Sequence, residues 1–230
     1  MFMNVAIIPA RGGSKRIPKK NIKKFNGKPI IAHSIEKALE TGLFSRVIVS
    51  TDDEEIAKLA ETFGAETPFV RPLTLSDDFT GINPVISHAL KSIDTESFEY
   101  ACCIFATSPL LLANDLEESF KLITRNDYKF IFSATNFPHP IERAFKESSS
   151  GKGLEMLYPE EYKTRSQDLP EWMHDAGQFY WGKIESWLEE SMSFDKNSFA
   201  YRLPMWRVQD IDTLEDWKRA EVISKLINSL

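Results

Sequence analysis

Two charged stretches, far apart in a chain of 230 residues, hold the residue types that handling a polyphosphate would need. The first runs Ala10-Arg11-Gly12-Gly13-Ser14-Lys15-Arg16-Ile17-Pro18-Lys19-Lys20-Asn21, and no acidic residue precedes Glu36. Glycine has no Cβ, so Gly12 and Gly13 are expected to turn with positive φ and bring backbone N–H groups close to an anion. Arg11, Lys15, Arg16, Lys19 and Lys20 would surround those amides. In a chain of net charge −6 this is a concentrated positive field, suited to a multiply charged substrate, although such a run is also compatible with a solvated basic surface loop. The second stretch, Val208-Gln209-Asp210-Ile211-Asp212, places two carboxylates at i and i+2, on one side of an extended segment. Together they could hold a hard cation such as Mg2+, which takes one or two protein carboxylates and fills its shell with water and phosphate oxygens. The alternative is structural: Asp212 with Glu215 fits a helix cap, and Asp210 a turn. Arg71, read from its neighbours alone, could form an ion pair with Asp77 or Asp78.

The spacing excludes two common anion loops. Lys15 follows Gly-Gly-Ser with no Ser or Thr after it, so the Gly-x-x-x-x-Gly-Lys-[Ser/Thr] pattern is absent, and so is Gly-x-Gly-x-x-Gly. The four histidines have no metal-ligand spacing, and the two cysteines, Cys102 and Cys103, sit side by side in an apolar run, which reads as a reduced core pair. The cations cluster in one loop without interleaved aromatics in an acidic chain, so a nucleic-acid partner is not expected. No run approaches the roughly 20 apolar residues of a membrane span, and no leader precedes the first strand, so a cytoplasmic protein is expected.

These stretches must be positioned by a scaffold. Val5-Ala6-Ile7-Ile8 reads as a strand that breaks at Pro9. Ile30, Ile31, Ile35, Ala38 and Leu39 mark a helical face ending near Gly42, and Arg46–Ser50 reads as the next strand. Thr51-Asp52-Asp53-Glu54 offers a capping box into a helix with Ile56, Leu59, Ala60 and Phe63 inward. A third short strand is expected to about Val70, then a polar loop and a helix through Val85, Ile86, Ala89, Leu90 and Ile93. Tyr100–Ala106 and Phe130–Ala134 read as strands covered on both faces, with a helix through Leu116, Phe120 and Ile123 between them. The alternation predicts an α/β fold: a doubly wound, mostly parallel sheet whose ligand site lies at the carboxyl ends of the strands, at Ala10-Arg11, Ser50-Thr51-Asp52 and Ala106-Thr107-Ser108. The whole chain, 1–230, reads as one domain. Residues 136–170, rich in Pro, Ser and charge, read as a small inserted arm or hairpin. Gly177–Trp181 returns to strand character, and Leu214, Trp217, Ala220, Ile223 and Ile227 line a last helix.

Ile8-Pro-Ala-Arg-Gly-Gly-Ser-Lys15 with Pro18-Lys-Lys-Asn21 resembles the signature of the CMP-N-acetylneuraminate synthetase family, the sialic-acid-type cytidylyltransferases, which have a nucleotide-diphospho-sugar transferase-like fold. The resemblance covers nearly the whole chain. It implies CTP at Ala10, Arg11, Gly12, Gly13, Ser14, Lys15, Lys20, Asn21, Arg71 and Thr107, and Mg2+ on Asp210 and Asp212, with Arg11, Lys20, Asp210 and Asp212 as the catalytic set. A sugar hydroxyl, its pKa lowered beside the metal, would attack the α-phosphate in line and pyrophosphate would leave, with no general base identifiable. The sequence departs from the neuraminate pattern in two places. Phe105-Ala-Thr-Ser-Pro109 stands where those enzymes have Gln-Pro-Thr-Ser-Pro, and His174 and Asp175 stand in Met173–Trp181 in place of an arginine and an amide. Tyr158-Pro159, Thr164–Pro170 and His174–Trp181 are instead similar to the pseudaminic acid branch of bacterial flagellin glycosylation. That likeness implies pseudaminic acid as acceptor, with neuraminic, legionaminic or another nonulosonic acid as alternatives. It also implies a sugar site of Arg165, Gln167, His174, Asp175, Gln178 and Tyr180, and a homodimer formed through the arm. The contrasting possibility is a nucleotide-binding protein of the same fold without turnover.

Overall fold

Strand-length apolar runs separated by one-faced helices assemble into a single six-stranded sheet, in a computed structural model that describes residues 3–190 and 192–229. In chain order the elements are β1 (Met3–Pro9), β2 (Lys24–Phe25), β3 (Lys28–Pro29), α1 (Ile30–Glu40), β4 (Phe44–Ser50), α2 (Glu54–Thr62), α3 (Ile82–Lys91) and β5 (Phe98–Ile104). They continue with α4 (Ala113–Arg125), β6 (Phe130–Asn136), β7 (Phe145–Glu147), β8 (Leu154–Met156), β9 (Met173–Lys183), α5 (Ile184–Leu188), β10 (Ser198–Arg202) and α6 (Leu214–Ile227). The sheet order is β10-β6-β9-β5-β1-β4. β1 lies parallel to β4 and β5, and β10 parallel to β6, whereas β9 runs antiparallel between β5 and β6. The mostly parallel, doubly wound sheet expected from the alternation is the observed fold.

Strand periodicity divides the core between the two faces. Ala6 and Ile8 of β1 face one layer with Ile31, Ile35, Ile56, Leu116 and Trp181, while Val5 and Ile7 face the other with Ile86, Leu90, Phe130 and Trp187. Neighbouring Cys102 and Cys103 fall on opposite faces, both buried and free, and burial pushes both thiols up.

Two local expectations need correction, and one strand goes beyond them. The third strand is a single parallel bridge between Glu66 and Ile48, with Glu66 N–H on the Val47 carbonyl at 2.8 Å and Val49 N–H on the Glu66 carbonyl at 2.9 Å. Pro68, two residues on, has no N–H to extend the ladder. The cap of α2 is Asp53 rather than Thr51: its Oδ1 accepts from Glu55 N at 2.8 Å and Ile56 N at 3.1 Å. β10, a short edge strand of mixed polarity, has no counterpart in the sequence pattern. Within 136–170 the chain forms the small antiparallel hairpin β7–β8, with one 3-10 turn before it and two after it.

The direction of β9 brings a set of polar residues to the ligand end of the sheet. Because β9 enters the sheet where its neighbours leave, its first half lies at their carboxyl ends, with Asp175 opposite Ala134 and His174 opposite Thr135.

Candidate active site

The two charged stretches meet in space, and apolar residues inside each of them explain why. Ile17 and Ile211, both buried, belong to one cluster with Phe25, Ile30, Leu110, Trp217 and Ala220. With Ile211 turned into this cluster, Asp210 and Asp212 are presented on the other side of the segment, as the i, i+2 spacing requires. Arg16 Nη1 donates to Asp212 Oδ2 at 2.6 Å, and Lys20 Nζ donates to the Ile211 carbonyl at 2.6 Å with Asp212 Oδ1 at 3.4 Å.

At the carboxyl ends of β1 and β5 two cavities flank Arg11. One, about 160 Å³, is lined by Arg11, Ser14, Lys15, Arg16, Lys20, Asn21 and Thr107, with Phe105 and Ala106. The other, about 270 Å³, shares Pro9, Arg11 and Phe105 with it and adds Arg71, Leu75, Asp77, Asp78, Thr80, Ile82 and Val85. The first has four cations, Arg11, Lys15, Arg16 and Lys20, in its wall, and the second joins an apolar floor to a few polar groups, the usual composition of a small-molecule site.

The loop holds its shape in an unexpected way. Neither Gly12 nor Gly13 has positive φ; the left-handed residue is Lys19, at φ 53°. Gly12 is favoured instead by close approach, since a Cβ there would lie 2.6 Å from Asp53 Oδ2 and that side chain would have to shift. Its N–H donates to Asp52 Oδ1 at 3.1 Å, and Asn21 Nδ2 donates to the Arg11 carbonyl at 2.9 Å, so this amide secures the turn from within. Lys19 leaves the cluster of cations and pairs with Glu55 at 2.5 Å. Arg11 pairs with Asp78 at 2.8 Å and donates to the Asp77 carbonyl at 2.5 Å, and Lys15 pairs with the same Asp78. The hydrogen bonds from Lys15 and Arg11 hold the Asp78 carboxyl below the usual carboxylate range.

Arg71 is buried and lies 3.6 Å from Asp52, rather than against Asp77 or Asp78. Its Nε donates to Ser76 Oγ at 3.0 Å, and its Nη2 has no hydrogen-bond partner among the described residues. Burial lowers its pKa, with Asp52 opposing. Asp52 therefore links Arg71 to the Gly12 turn, a connection between side chains that no local pattern in the sequence announces.

Asp210 is exposed at its residue surface, yet its carboxyl sits above the ordinary range: desolvation raises it, the Asp212 charge adds to this, and Lys20 and Arg16 oppose. Nearby on β9, the buried Tyr180 phenol donates to the Asp175 carboxylate, which also accepts from Gly177 N at 2.8 Å. Burial, then the Asp175 charge, push that phenol up, and Asp210 contributes further. His174 Nδ1 lies 2.8 Å from the Asp175 carbonyl, with its ring edge against Phe137. Gln178 is buried, its backbone carbonyl accepting from Phe105 N at 2.9 Å, and its side-chain Oε1 has no partner among the described residues. Of the six residues expected around a sugar, four thus lie on β9 at the site end of the sheet. Arg165 and Gln167 do not join them. Both are exposed in the arm, Arg165 forks onto Asp168 at 2.7 and 3.3 Å, and no described contact ties either to the 210–212 segment.

The residues present fit a hard divalent ion. Among the described residues no cluster of three or more His, Cys, Asp or Glu encloses a metal, and two outward carboxylates beside a cationic cavity leave most of the shell to water and phosphate oxygens, which is how Mg2+ is usually held.

Comparison with known proteins is consistent with this geometry. The family model described as cytidylyltransferase matches residues 5–223. The chain is 44% identical over 225 residues, 97% of each chain, to a pseudaminic acid cytidylyltransferase of Campylobacter jejuni. It is 32% identical to an N-acylneuraminate cytidylyltransferase of Escherichia coli, over 97% of this chain and 52% of that protein. Among solved structures, a CMP:2-keto-3-deoxy-manno-octonic acid synthetase complexed with CTP superposes with TM-score 0.72 at 16% identity, covering 99% of this chain and 100% of the other.

Proposed function

The chain belongs to the cytidylyltransferase family, and from that premise we propose that it converts CTP and pseudaminic acid into CMP-pseudaminic acid and pyrophosphate. The observation that carries the reading is the meeting of the Arg11–Asn21 loop with the 210–212 segment, at Asp212 and the Ile211 carbonyl, in a chain 44% identical along its length to a pseudaminic acid cytidylyltransferase.

In this reading the triphosphate lies in the cavity beside Lys20 and Ser14, and Arg11 and Lys15 exchange Asp78 for phosphate oxygens. The cytidine enters the second cavity, against Leu75, Val85 and Phe105, with Thr80 and the Nη2 of Arg71, which faces Asp52 at 3.6 Å without a hydrogen bond, as its polar contacts. Asp210 and Asp212 would hold Mg2+, which supplies charge neutralisation at the phosphates when bound. Nucleotidyl transfer asks little covalent chemistry of the protein: the sugar hydroxyl attacks the α-phosphate in line, and catalysis comes from orientation and charge. Arg11 and Lys20 balance charge on the departing pyrophosphate. His174, Asp175, Gln178 and Tyr180 bind the acceptor, with the Asp175 carboxylate aligned by Tyr180 and Gly177 and available to N–H or O–H groups of the sugar.

Arg165 and Gln167 serve that site in a homodimer, reaching the acceptor from the arm of a second copy. The exposed apolar residues Phe145, Leu154, Leu157 and Tyr162 of the arm support such a contact. A single domain carrying this arm as a small insertion, in a cytoplasm that supplies CTP and keeps Cys102 and Cys103 reduced, completes the assignment.

Pyrophosphate release with CTP and Mg2+ against a panel of nonulosonic acids tests it. Turnover highest with pseudaminic acid is expected; preference for neuraminic or legionaminic acid would overturn the acceptor assignment, and no release with any acid would overturn the reaction.

A further inference from the structure

Arg207 and Asp115, separated by 92 positions in the sequence, form an ion pair that the proposed reaction does not itself use. Both are buried, and the guanidinium forks onto the carboxylate with two bonds of 2.6 Å. Asp115 stands in the first turn of α4, where its Oδ2 also accepts from Leu112 N at 3.3 Å, and that helix leaves the loop that carries Thr107 and Ser108 from the end of β5. Arg207 ends the turn that leads into Val208 and the acidic segment. Beyond the segment, Asp216 Oδ2 accepts from Asp212 N at 3.2 Å and Thr213 N at 2.8 Å, and its Oδ1 takes Gln209 Nε2 at 3.0 Å. Asp210 and Asp212 are therefore displayed on a short span fixed at both ends and plugged in the middle by Ile211.

We infer that Arg207 is a positioning residue for the divalent-cation site, setting the two carboxylates through its buried fork onto Asp115. The inference rests on the assignment of Asp210 and Asp212 to the metal. A buried ion pair is a poor device for stability, since well-packed apolar residues of similar volume do as well or better; what it supplies is fixed geometry, because a guanidinium meets a carboxylate in one planar arrangement that lysine cannot reproduce. Residues that orient metal ligands typically change metal affinity by about 10- to 100-fold when altered.

The test measures Mn2+ binding to the full chain in the presence of CTP, by electron paramagnetic resonance, together with CTP affinity in EDTA and thermal unfolding. Arg207→Lys is expected to weaken Mn2+ by about tenfold with metal-free CTP affinity unchanged. The paired apolar variant Arg207→Met with Asp115→Leu removes both charges, and the acceptor for Leu112 N with them, and is expected to unfold within about 4 °C of the wild-type temperature, yet to bind Mn2+ as weakly as Arg207→Lys. A structural role alone would see Mn2+ affinity recover along with stability in the paired variant. Either variant binding Mn2+ as tightly as wild type overturns the inference and leaves the proposed function standing, whereas a wild-type protein that binds no Mn2+ in the presence of CTP overturns the metal assignment and the inference with it.

Discussion

Replacing Gly12 by alanine tests whether the anion loop is held by close packing rather than by backbone conformation. The added Cβ would lie 2.6 Å from Asp53 Oδ2, 3.0 Å from its Cβ and 3.2 Å from its Cγ. Either the Asp53 side chain rotates away, giving up its bonds to Glu55 N and Ile56 N, or the loop retreats and loses the Gly12 N–Asp52 bond. Loss of such a helix cap costs about 1 kcal/mol, in a range of about 0.5 to 2, which for a chain of this size is a fall in Tm of about 2–4 °C per kcal/mol. Asp53→Gly removes the obstructing side chain, and glycine is itself a tolerated cap, so that variant alone costs only a few tenths of a kcal/mol plus the small helix-terminus charge effect. Gly12→Ala in the Asp53→Gly background should then add almost nothing, a coupling of about 1 kcal/mol between residues in contact. Gly13→Ala, with nothing within 4 Å of its Cβ and no positive φ, should stay within about 0.5 kcal/mol of wild type. Thermal unfolding of the five proteins, paired with calorimetric CTP titration, provides the measurement. CTP affinity should fall in Gly12→Ala and return in the double variant. Equal damage from Gly12→Ala and Gly13→Ala, or additive costs in the double variant, would refute the reasoning.

The same geometry yields three more expected outcomes. Asp210 holds its proton above the ordinary carboxylate range, so its stability contribution is present below the unfolded-state pKa and lost as pH rises through the raised one. Asp210→Asn should therefore raise Tm at neutral pH while lowering activity, an advantage that shrinks on acidification and is read by thermal scans across pH. Asp78→Asn removes the carboxylate that occupies Arg11 and Lys15 in the free protein, so metal-free CTP binding should tighten in titration; weaker binding would mean that Asp78 helps the nucleotide. Arg165→Ala should raise the sugar KM far more than the CTP KM, and mixing it with inactive Asp212→Asn should regain activity through hybrid dimers, an outcome that a self-contained monomeric site forbids.

Much of this arrangement is legible in the sequence because it is local. The apolar runs of β1, β4, β5 and β6, the one-faced helices between them, and the i, i+2 carboxylates around Ile211 are patterns of period two or 3.6 that a short window contains. What escapes such a window is set by distance or by partner. The fork of Arg207 onto Asp115, the pairing of Arg71 with Asp52 in place of Asp77 or Asp78, and the Asp78 bridge to Arg11 and Lys15 depend on which surfaces the fold brings together. The third strand fails because one proline outweighs the propensity of its neighbours, and β10 is hidden because an edge strand of five residues carries little periodic signal. Gly12 stands out in the sequence, but for a backbone freedom it does not use; the side chain that crowds it, Asp53, lies on the far side of α1 and β4 in the chain.

The claim on which the rest depends is that one triphosphate and its magnesium are shared between the loop and the two acids. Calorimetric CTP titration with and without Mg2+, on wild type and on Asp210→Asn/Asp212→Asn, tests it most directly. Wild type should bind CTP more tightly with Mg2+, and the variant should keep the metal-free affinity while losing the Mg2+ enhancement. A variant that retains the full enhancement would contradict the account.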